Sequence, residues 1–540
     1  MYQDLQYLNG ILSVNVLDLK AVKEKDCGIP RLKGKQVKLR KVWTGLAITA
    51  MFGGLFVGQP AKAADSSLVI GSVLDIDKTD PHTSTNFATV RGLGLVYGSL
   101  IEIGAKNAIK GGLATSWIFS KDGKTLTLNL RQGVKFHDGS TFDAEDAKAS
   151  LERILDTKTG AAARANIATI TSIKADGRKL ILNMSIPNAP ILAALEGVNM
   201  AMLSKADIDA GKIGGNNKPN GTGPYKWVSW EPTQSLKLTA NSDYFMGEPK
   251  IKDVTIRVIP NEASILSALN AGTIGMGIVT DPLIARQVKS NLKMFKTPAL
   301  GYYALQFNTK VAPLNDKNVR LAIQCAIDRN ELINTALLGQ GQVTGPITSP
   351  AFRSDVNARP CPKQDLAKAK EYLAAAGKSS GVTFKTLVTS TGWATSVAMA
   401  QNLKAQLAKA NITMELDIVE QATYVPRWLA ADFTATLANN GGRIDPDTMY
   451  TRYFTSTGNL NKVATYSSAT LDANFIKGKA SGKVAERKSA YVAISKELED
   501  NAVWVWLATP YEYRVATKKL RGFSALANGS LLQLRSATLG

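Results

Sequence analysis

Residues 125–130 alternate between polar and apolar side chains in the order TLTLNL, and this period of two predicts a half-buried β-strand. Asp138-Gly139 then favours a tight turn, because glycine adopts backbone angles that other residues resist. Asp143 is placed to cap a helix, with Asp146 three residues later as an acidic variant of the capping box. The segment 130–148 therefore predicts the end of a strand, a turn and a capped helix in succession.

Short apolar strands and amphipathic helices alternate along the rest of the chain. Glycine and proline mark the turns, and no internal repeat or low-complexity tract interrupts the pattern. The predicted fold class is therefore mixed α/β. Further strands are predicted at 68–74, 179–185, 254–259 and 382–388, and helices at 144–155, 262–269 and 319–338.

An apolar segment near the amino terminus indicates export. Residues 42–60 carry no charge, follow the basic run 38–41 and precede Ala61-Lys62-Ala63, which has the A-x-A form of a cleavage site. The segment is short and rich in glycine, so a secretory signal peptide is favoured over a membrane span. No cysteine stands directly after it, where lipoprotein processing would need one, so we expect a mature periplasmic chain that begins near Ala64 and is not a lipoprotein. Residues 1–36 do not fit such a leader, and one hypothesis is that translation begins at Val37.

The formal charge of the chain is +21, and the predicted leader, residues 1–63, contributes a part of it. The remaining lysines and arginines are scattered along predicted helical faces. A nucleic-acid-binding protein would gather them into a patch or stripe. We therefore expect a soluble protein with a positive surface and no nucleic acid as a partner.

Two cysteines, Cys325 and Cys361, lie in the expected mature chain. In an oxidising compartment they would either form a disulfide or remain as two buried thiols, and the sequence leaves both alternatives open. A bridge between them would stabilise the fold by about 3 to 4 kcal/mol in the loop-entropy model.

Motifs for catalysis are weak. GKSSG at 377–381 has the form of a hydrolase nucleophile motif, but it follows a helix and precedes a strand, the reverse of a nucleophile elbow. Both histidines, His82 and His137, precede Ser379, whereas such hydrolases place the histidine last. No histidine lies at ligand spacing with cysteines or carboxylates, so we expect no metal site and no cofactor.

Several separate blocks resemble one protein family. They are LATSW at 113–117, LRQGVKFHDGSTFDAEDAK at 130–148, NGTGPY at 220–225, NDKNVRLAIQCAIDRNELI at 315–333 and DLAKAKEYLAAAG at 365–377. Together they resemble the large solute-binding proteins of ABC importers, the peptide, opine and nickel-binding family. The resemblance extends over residues 64–540. It implies a two-lobed periplasmic-binding-protein fold of the class II-like, large cluster C type, with an extra satellite domain and a hinged cleft.

The family fold implies discontinuous domains in this chain. Lobe 1 would comprise residues 64–104, 216–300 and 504–540, its satellite domain residues 105–215, and lobe 2 residues 301–503. Segments near 296–303 and 503–511 would cross between the lobes. Binding would favour closure, because a solute contacts both lobes only in the closed form.

The resemblance also implies which residues would contact a solute in the cleft. Aromatic side chains would supply apolar walls, and asparagines would supply adaptable hydrogen bonds. The expected ligand-binding residues are Thr85, Asn86, Phe87, Tyr302, Tyr303, Trp393, Asn439, Asn440, Gly441, Gly442, Arg443, Asp445 and Trp506.

Two absences narrow the expected solute. Dipeptide-binding relatives place an aspartate for the α-amine where this chain has Gly442, and an arginine for the carboxylate in the loop that here reads TSTGW. A free dipeptide would therefore leave its charges buried without partners, which is costly. Our hypothesis is a less zwitterionic or net anionic solute, such as an opine-like conjugate, a modified sugar or a blocked peptide, with Arg443 as its charge partner.

The function implied by the resemblance is that of a periplasmic receptor that delivers a small solute to the transmembrane permease subunits of an ABC importer. Membrane contact would occur only through that permease, and we expect a monomer that is not an enzyme. A secreted hydrolase on the same scaffold would need a nucleophile and a base facing the cleft, and the sequence offers neither. An extracytoplasmic chaperone built on the same lobes is an alternative that the sequence does not separate from a receptor.

Overall fold

The structure is a computed structural model that describes residues 66–84, 86–104, 107–390, 393 and 395–540. The predicted leader and the translation start at Val37 lie outside the described residues. Within the described part, no helix is both long and apolar enough to cross a membrane.

The first described elements are a strand, a helix and a small hairpin. They are β1 (Ser67–Ser72), α1 (Phe87–Val96), β2 (Ile101–Ile103) and β3 (Ile109–Gly111). β1 corresponds to the strand predicted at 68–74 and ends two residues earlier. Asn86 begins α1, because its side-chain oxygen accepts a hydrogen bond from the Ala88 amide at 2.8 Å.

The next segment forms a small domain around four antiparallel strands. Its elements are β4 (Ala114–Phe119), β5 (Thr125–Leu130), α2 (Ala144–Leu155), α3 (Arg164–Ile167), β6 (Ile170–Asp176), β7 (Lys179–Met184), α4 (Ile191–Ala194) and α5 (Lys205–Asp209). The sheet order is β4-β5-β7-β6. Leu126, Leu128 and Leu130 of β5 are buried in the core of this domain, which confirms the strand predicted from the period of two.

The predicted start of α2 is confirmed in detail. The Asp143 carboxylate accepts hydrogen bonds from the amides of Glu145 at 2.8 Å and Asp146 at 3.2 Å. The Asp146 carboxylate accepts in turn from the Asp143 amide at 2.9 Å. These reciprocal bonds form the capping box that the sequence predicts.

The turn before α2 joins this four-stranded domain to the segment 220–225. The His137 amide donates to the Gly221 carbonyl at 2.9 Å, and the His137 Nε2 donates to the Gly223 carbonyl at 3.0 Å. The Gly221 amide donates to His137 Nδ1 at 3.4 Å, so the ring is held in its neutral form. Burial lowers the pKa of His137 to about 4. Two of the blocks that carry the family resemblance are therefore hydrogen-bonded to each other.

The chain then returns to the sheet that contains β1. The elements are β8 (Tyr225–Glu231), β9 (Ser235–Ala240), β10 (Asp253–Val258), α6 (Glu262–Asn270), β11 (Met276–Val279), α7 (Pro282–Ala285) and β12 (Leu292–Pro298). β1 lies between β10 and β11 and runs parallel to both. The strand predicted at 254–259 and the helix predicted at 262–269 are confirmed to within one residue.

A second sheet and its covering helices follow. The elements are β13 (Tyr302–Phe307), α8 (Lys317–Cys325), α9 (Arg329–Ala336), β14 (Gly341–Val343), α10 (Leu366–Ala375), β15 (Val382–Thr389), α11 (Ser396–Ala408), β16 (Ile412–Val419), α12 (Gln421–Ala430), β17 (Ala435–Asn440), α13 (Asp447–Phe454), α14 (Asn461–Ala464), α15 (Ala469–Lys479) and α16 (Val484–Asp500). β15 runs parallel to β16 and β17, and β13 runs antiparallel to β17.

The helix predicted at 319–338 is wrong as a single element, because the chain forms α8 and α9 instead. The Asp328 carboxylate accepts hydrogen bonds from the amides of Asn330 at 2.8 Å and Glu331 at 3.0 Å, and thereby starts a new helix. An aspartate inside a periodic apolar pattern competes for backbone amides in this way.

Cys325, the last residue of α8, is bonded to Cys361 in the structure, with a Cα separation of 5.0 Å. Of the two alternatives that the sequence leaves open, the structure contains the disulfide. The Asp365 amide also donates to the Cys325 carbonyl at 2.8 Å. Both links tie the end of α8 to the segment that precedes α10.

The last long strand, β18 (Trp504–Thr517), belongs to both sheets, and β19 (Leu520–Arg521) and β20 (Thr538–Leu539) follow it. Its first half pairs with β13 and β14, and its second half pairs with β11 and β12. We call β8-β9-β10-β1-β11-β18-β12 the first sheet and β16-β15-β17-β13-β18-β14 the second sheet. The chain also crosses between the sheets at 299–301, where the Ala299 amide donates to the Pro510 carbonyl at 2.9 Å. The domain boundaries derived from the resemblance remain predictions.

Candidate functional site

A cavity of about 900 Å³ lies between the first and second sheets. Residues from both sheets line it, together with residues near 193–199 of the four-stranded domain and near 526–532 of the final segment. The two places where the chain crosses between the sheets, 299–301 and 510–512, also contribute to the lining. The volume falls in the upper part of the range for small-molecule sites, about 300–1,000 Å³.

Three of the predicted aromatic residues line this cavity: Phe87, Tyr303 and Trp393. Phe87 is the first residue of α1 and is 66% exposed, so most of its side chain is accessible from the cavity. Trp393 is held edge to face against Tyr424, with ring centroids 5.4 Å apart. These side chains supply apolar walls on both sides of the cavity.

The family resemblance predicts that Tyr302 and Trp506 contact a solute, but the structure does not bring them to the cavity. Both are completely buried in the core of the second sheet. The Tyr302 ring stacks on Tyr450 at 6.0 Å. The reason is the alternation of side chains along a strand, which turns Tyr303 of β13 toward the cavity and Tyr302 away from it.

Asn86 and Asp445 do not line the cavity either, because their polar atoms serve the fold. Asn86 caps α1, as described above. The Asp445 carboxylate accepts two hydrogen bonds from the Arg487 guanidinium, at 2.7 and 2.8 Å, and both side chains are buried. Thr85 lies outside the described residues.

The end of β17 and the loop that follows it do line the cavity, through five of the predicted residues: Asn439, Asn440, Gly441, Gly442 and Arg443. Gly442 lies against the crossover, since a Cβ atom on it would stand 1.7 Å from the Leu300 carbonyl oxygen. The position therefore has no room for the aspartate that the resemblance places there in dipeptide-binding relatives. Ser349 Oγ donates to the Arg443 carbonyl at 2.7 Å and fixes the backbone that presents the Arg443 side chain.

The Arg443 side chain is exposed to the cavity. One of its terminal nitrogens donates to the Gly442 carbonyl at 3.2 Å, and it forms no ion pair with any described residue. A guanidinium without a counter-ion in a cleft is a natural partner for a carboxylate or phosphate group.

Four carboxylates that the sequence did not indicate also line the cavity: Glu102, Glu196, Glu262 and Glu512. Three of them are already satisfied. Glu102 accepts two hydrogen bonds from Arg535, at 3.0 and 2.8 Å. Glu512 accepts from Arg514 at 3.0 Å, and Glu262 accepts from the backbone amides of residues 280 and 281, each at 2.9 Å.

Glu196 is different from the other three. Its Oε1 accepts a hydrogen bond from Asn528 Nδ2 at 3.0 Å, whereas its Oε2 has no hydrogen-bond partner among the residues that the structure describes. Desolvation raises the pKa of Glu196 to about 7, although the Asn528 hydrogen bond and the Arg443 charge act in the opposite direction. Glu196 and Arg443 do not form an ion pair with each other.

No local signal in the sequence marks Glu196. It follows the apolar run ILAAL at 191–195 and precedes Gly197, whose φ is 88°, so the pattern indicates a turn at the end of a short helix. Only the tertiary structure brings it into the same cavity as Arg443.

The candidate residues for hydrolysis and metal binding lie elsewhere. Ser379 is exposed in the turn between α10 and β15, and neither it nor His82 nor His137 lines the cavity. The His82 ring is buried and hydrogen-bonds to the Ala201 carbonyl at 2.9 Å. In the described ranges, no group of three or more histidines, cysteines and carboxylates is placed to hold a metal ion.

Comparison with known proteins gives a consistent result. A family model for bacterial extracellular solute-binding proteins, family 5, middle region, matches residues 108–461. The oligopeptide-binding protein AppA of Bacillus subtilis is 27% identical to this chain over 502 residues, which cover 86% of the chain and 90% of the relative.

Solved structures are similar in fold over most of their length. The periplasmic binding protein DppA of Helicobacter pylori, in complex with the peptide STSA, gives a TM-score of 0.72 at 27% identity, covering 88% of this chain and 98% of that one. The binding protein AgaA of A. tumefaciens, in complex with agropinic acid, gives a TM-score of 0.72 at 25% identity, covering 88% and 99%. The predicted two-lobed α/β fold is confirmed. The chain belongs to family 5 of the bacterial extracellular solute-binding proteins.

Proposed function

We propose that this protein is a periplasmic receptor that captures a small organic solute between two lobes and delivers it to the permease subunits of an ABC importer. The observation that carries the proposal is the cavity of about 900 Å³ lined from both sheets. A solute held there contacts both halves at once, so its binding favours the closed arrangement. The shared strand β18 and the crossover at 299–301 are the segments about which the lobes would rotate.

A contact across the cleft supports a closed state. The Ala189 amide of the four-stranded domain donates to the Lys479 carbonyl at the end of α15, at 3.0 Å. This hydrogen bond joins the two sides directly, without passing through β18 or the crossover. An opening of the lobes would break it.

The solute that we propose is peptide-like, opine-like or a sugar conjugate and carries an anionic group for Arg443. The similar structures contain the peptide STSA in one case and agropinic acid in the other. Gly442 has no room for an aspartate side chain that would bind an α-amine, which argues against a free dipeptide held in the manner of the dipeptide-binding relatives.

We also propose that residues 1–63 contain a secretory signal peptide, that the mature chain is not a lipoprotein, and that it acts as a monomer. Its contact with the membrane would run only through the permease, and no nucleic acid is a partner. Intact mass of the exported protein is expected to give a chain that begins near Ala64. A retained leader or an added lipid mass would contradict this part of the proposal.

The receptor function is tested by mass spectrometry of what the periplasmic protein retains. We expect release of an intact small molecule on denaturation, at up to one equivalent, and its unchanged recovery after rebinding. Trp393→Ala is expected to reduce retention because it removes an apolar wall of the cavity, while Ile118→Ala, exposed on the four-stranded domain, serves as the control. Conversion of the solute into a product would instead favour a hydrolase.

A further inference from the structure

Some of the charged side chains that line the cavity have a charged or backbone partner, and others do not. Glu102 and Glu512 are each hydrogen-bonded to an arginine, and Glu262 accepts from backbone amides. Glu196 and Arg443 remain without an ion pair among the described residues, and they come from different sides of the cleft. A solute that fits this cavity meets one unpaired carboxylate and one unpaired guanidinium.

Glu196 is held in place from three directions. The preceding residue, Leu195, is completely buried in the core of the four-stranded domain. The backbone of Glu196 forms a β-bridge with Ile101. Asn528 donates to Oε1, and its own side-chain oxygen accepts from the Ser530 amide at 3.1 Å, which fixes the orientation of the amide group. The carboxylate is therefore preorganised and does not need to be ordered when a solute binds.

The free oxygen of Glu196 makes a cation favourable at this position. A carboxylate in a desolvated site is costly in its charged form unless it is paired. Its raised pKa, about 7, reflects that cost in the empty cleft. An ammonium or guanidinium group at Oε2 would supply the missing hydrogen bond and the missing charge together.

We propose that Glu196 is a cation subsite of the cleft and takes a protonated amine or guanidinium group of the solute. This inference rests on the proposed receptor function and deepens it. The solute then carries a cationic group on the side of the four-stranded domain and an anionic group toward Arg443, so it has more zwitterionic character than the sequence alone suggests. Its charges are placed differently from those of a peptide held by an aspartate at the position of Gly442.

Glu196→Gln tests the subsite, because it keeps the shape of the side chain and an oxygen for Asn528 while it removes the charge. The matched control is Glu231→Gln, which makes the same change at an exposed glutamate that pairs with Lys237 outside the cavity. Both variants are expected to fold. Loss of a desolvated carboxylate leaves the thermal stability of Glu196→Gln unchanged or slightly higher.

Two probe pools separate a cation subsite from a general loss of binding. The first is an equimolar pool of tripeptides with free amino termini, and the second is the same pool after N-acetylation. Native protein freed of its solute by unfolding and refolding is mixed with each pool, and retained peptides are measured by mass spectrometry. We expect the parent to favour free amines, and Glu196→Gln to lose about 10- to 100-fold of that preference, as for one charged hydrogen bond.

Other outcomes overturn the subsite. Equal loss of free and acetylated peptides in Glu196→Gln would mean that Glu196 acts on closure, for example by pairing with Arg443, and not on a cation. An unchanged preference in the variant, or no retained amine in the parent, would also contradict it.

The identity of the solute retained from the periplasm keeps this test distinct from that of the receptor function. A retained solute without a basic group would overturn the subsite and leave the receptor function intact. A retained solute with a basic group whose affinity falls in Glu196→Gln supports both.

A second readout is the exchange of protons on binding. The charged groups that act on Glu196 are Arg443 and Glu102, the latter paired with Arg535. Because a bound cation lowers the pKa of Glu196 from about 7, binding releases a proton at pH 6 and little at pH 8. Titration calorimetry of a retained free-amine peptide in buffers of different ionisation enthalpy is expected to detect this release in the parent and not in Glu196→Gln. An absence of release in the parent would contradict the subsite.

Discussion

Single residues determine what the cleft can accept, and Gly442 is the most tightly constrained of them. The Leu300 carbonyl occupies the place of its missing Cβ. The position of the backbone therefore excludes an aspartate at residue 442 that could bind an α-amine. A neighbouring glycine, Gly441, has a different environment, since a Cβ there would meet only the flexible end of Met449 at 3.4 Å.

Gly442→Asp is expected to destabilise the protein by roughly 1 to 3 kcal/mol or more, because the crossover must move to admit the side chain. It should not create dipeptide binding. Urea unfolding and calorimetry with a dipeptide provide the two measurements, and Gly441→Ala is the control of near-normal stability. A Gly442→Asp variant with normal stability and tight dipeptide binding would contradict this prediction, because it would show that the crossover at 299–301 moves at little cost in free energy.

Asp445 is predicted to contact the solute, but in the structure it pairs with Arg487 inside the protein. Its carboxylate is buried in a bidentate pair with Arg487, so Asp445→Asn is expected to lower the free energy of unfolding by about 3 to 5 kcal/mol. The comparison is Asp500→Asn, which breaks the exposed pair with Lys496 at a cost of about 1 kcal/mol or less. Denaturant unfolding measures both. An Asp445→Asn variant of normal stability that loses only solute affinity would show that Asp445 contacts the solute.

At the level of elements, the sequence predicts well what depends on near neighbours. The capping box of Asp143 and Asp146 and the period of two in β5 are local, and both are present. The division of the segment 319–338 is also local, because Asp328 carries a cap signal inside a helical pattern. Which face of β13 meets the cavity depends on how distant parts of the chain pack. The sequence therefore predicts both Tyr302 and Tyr303 as ligand contacts, although only Tyr303 lines the cavity.

The turn that contains His137 gives a prediction for the dependence of stability on pH. The pKa of His137 is lowered to about 4, so the unfolded chain takes up a proton first as the pH falls below about 6.5. His137 therefore makes its full contribution to the free energy of unfolding above pH 6.5, and this contribution is lost between pH 6.5 and 4. Relative to His137→Gln, the parent is expected to lose roughly 3 kcal/mol over this interval.

Urea unfolding of both proteins at several pH values measures this difference and removes the contributions of the other titrating groups. The neutral ring is expected because Nδ1 already accepts from the Gly221 amide. A difference in stability that stays constant from pH 7 to pH 4 would show that His137 takes up its proton at the same pH in the folded and the unfolded protein.

For the whole molecule, the resemblance in the sequence predicts the two lobes and the cleft, and the segment 439–443 lines the cavity. The charge of the cavity was not predictable in the same way. Glu196, Arg443 and Asn528 belong to three distant parts of the chain, and no local pattern links them. The sequence therefore indicates an anionic partner for Arg443 but not the carboxylate that faces the same space.

Closure of the lobes is expected to shorten the distance between spin labels at Ile186 and Ile476, two exposed positions on opposite sides of the Ala189 to Lys479 contact. The retained solute should shift the distance distribution toward the short form, since it contacts both lobes. Trp393→Ala should reduce the shift at the same solute concentration. Identical distributions with and without solute would contradict a hinge motion.

The position of β18 in the chain has a consequence for folding. It lies between other strands in both sheets, yet it is built from residues 504–517, after all but the last two short strands of the described chain. Neither half can complete its sheet until this segment has been synthesised, so the two halves should acquire their native pairing together and late. Such a delay suits a polypeptide that is proposed to cross a membrane before it folds.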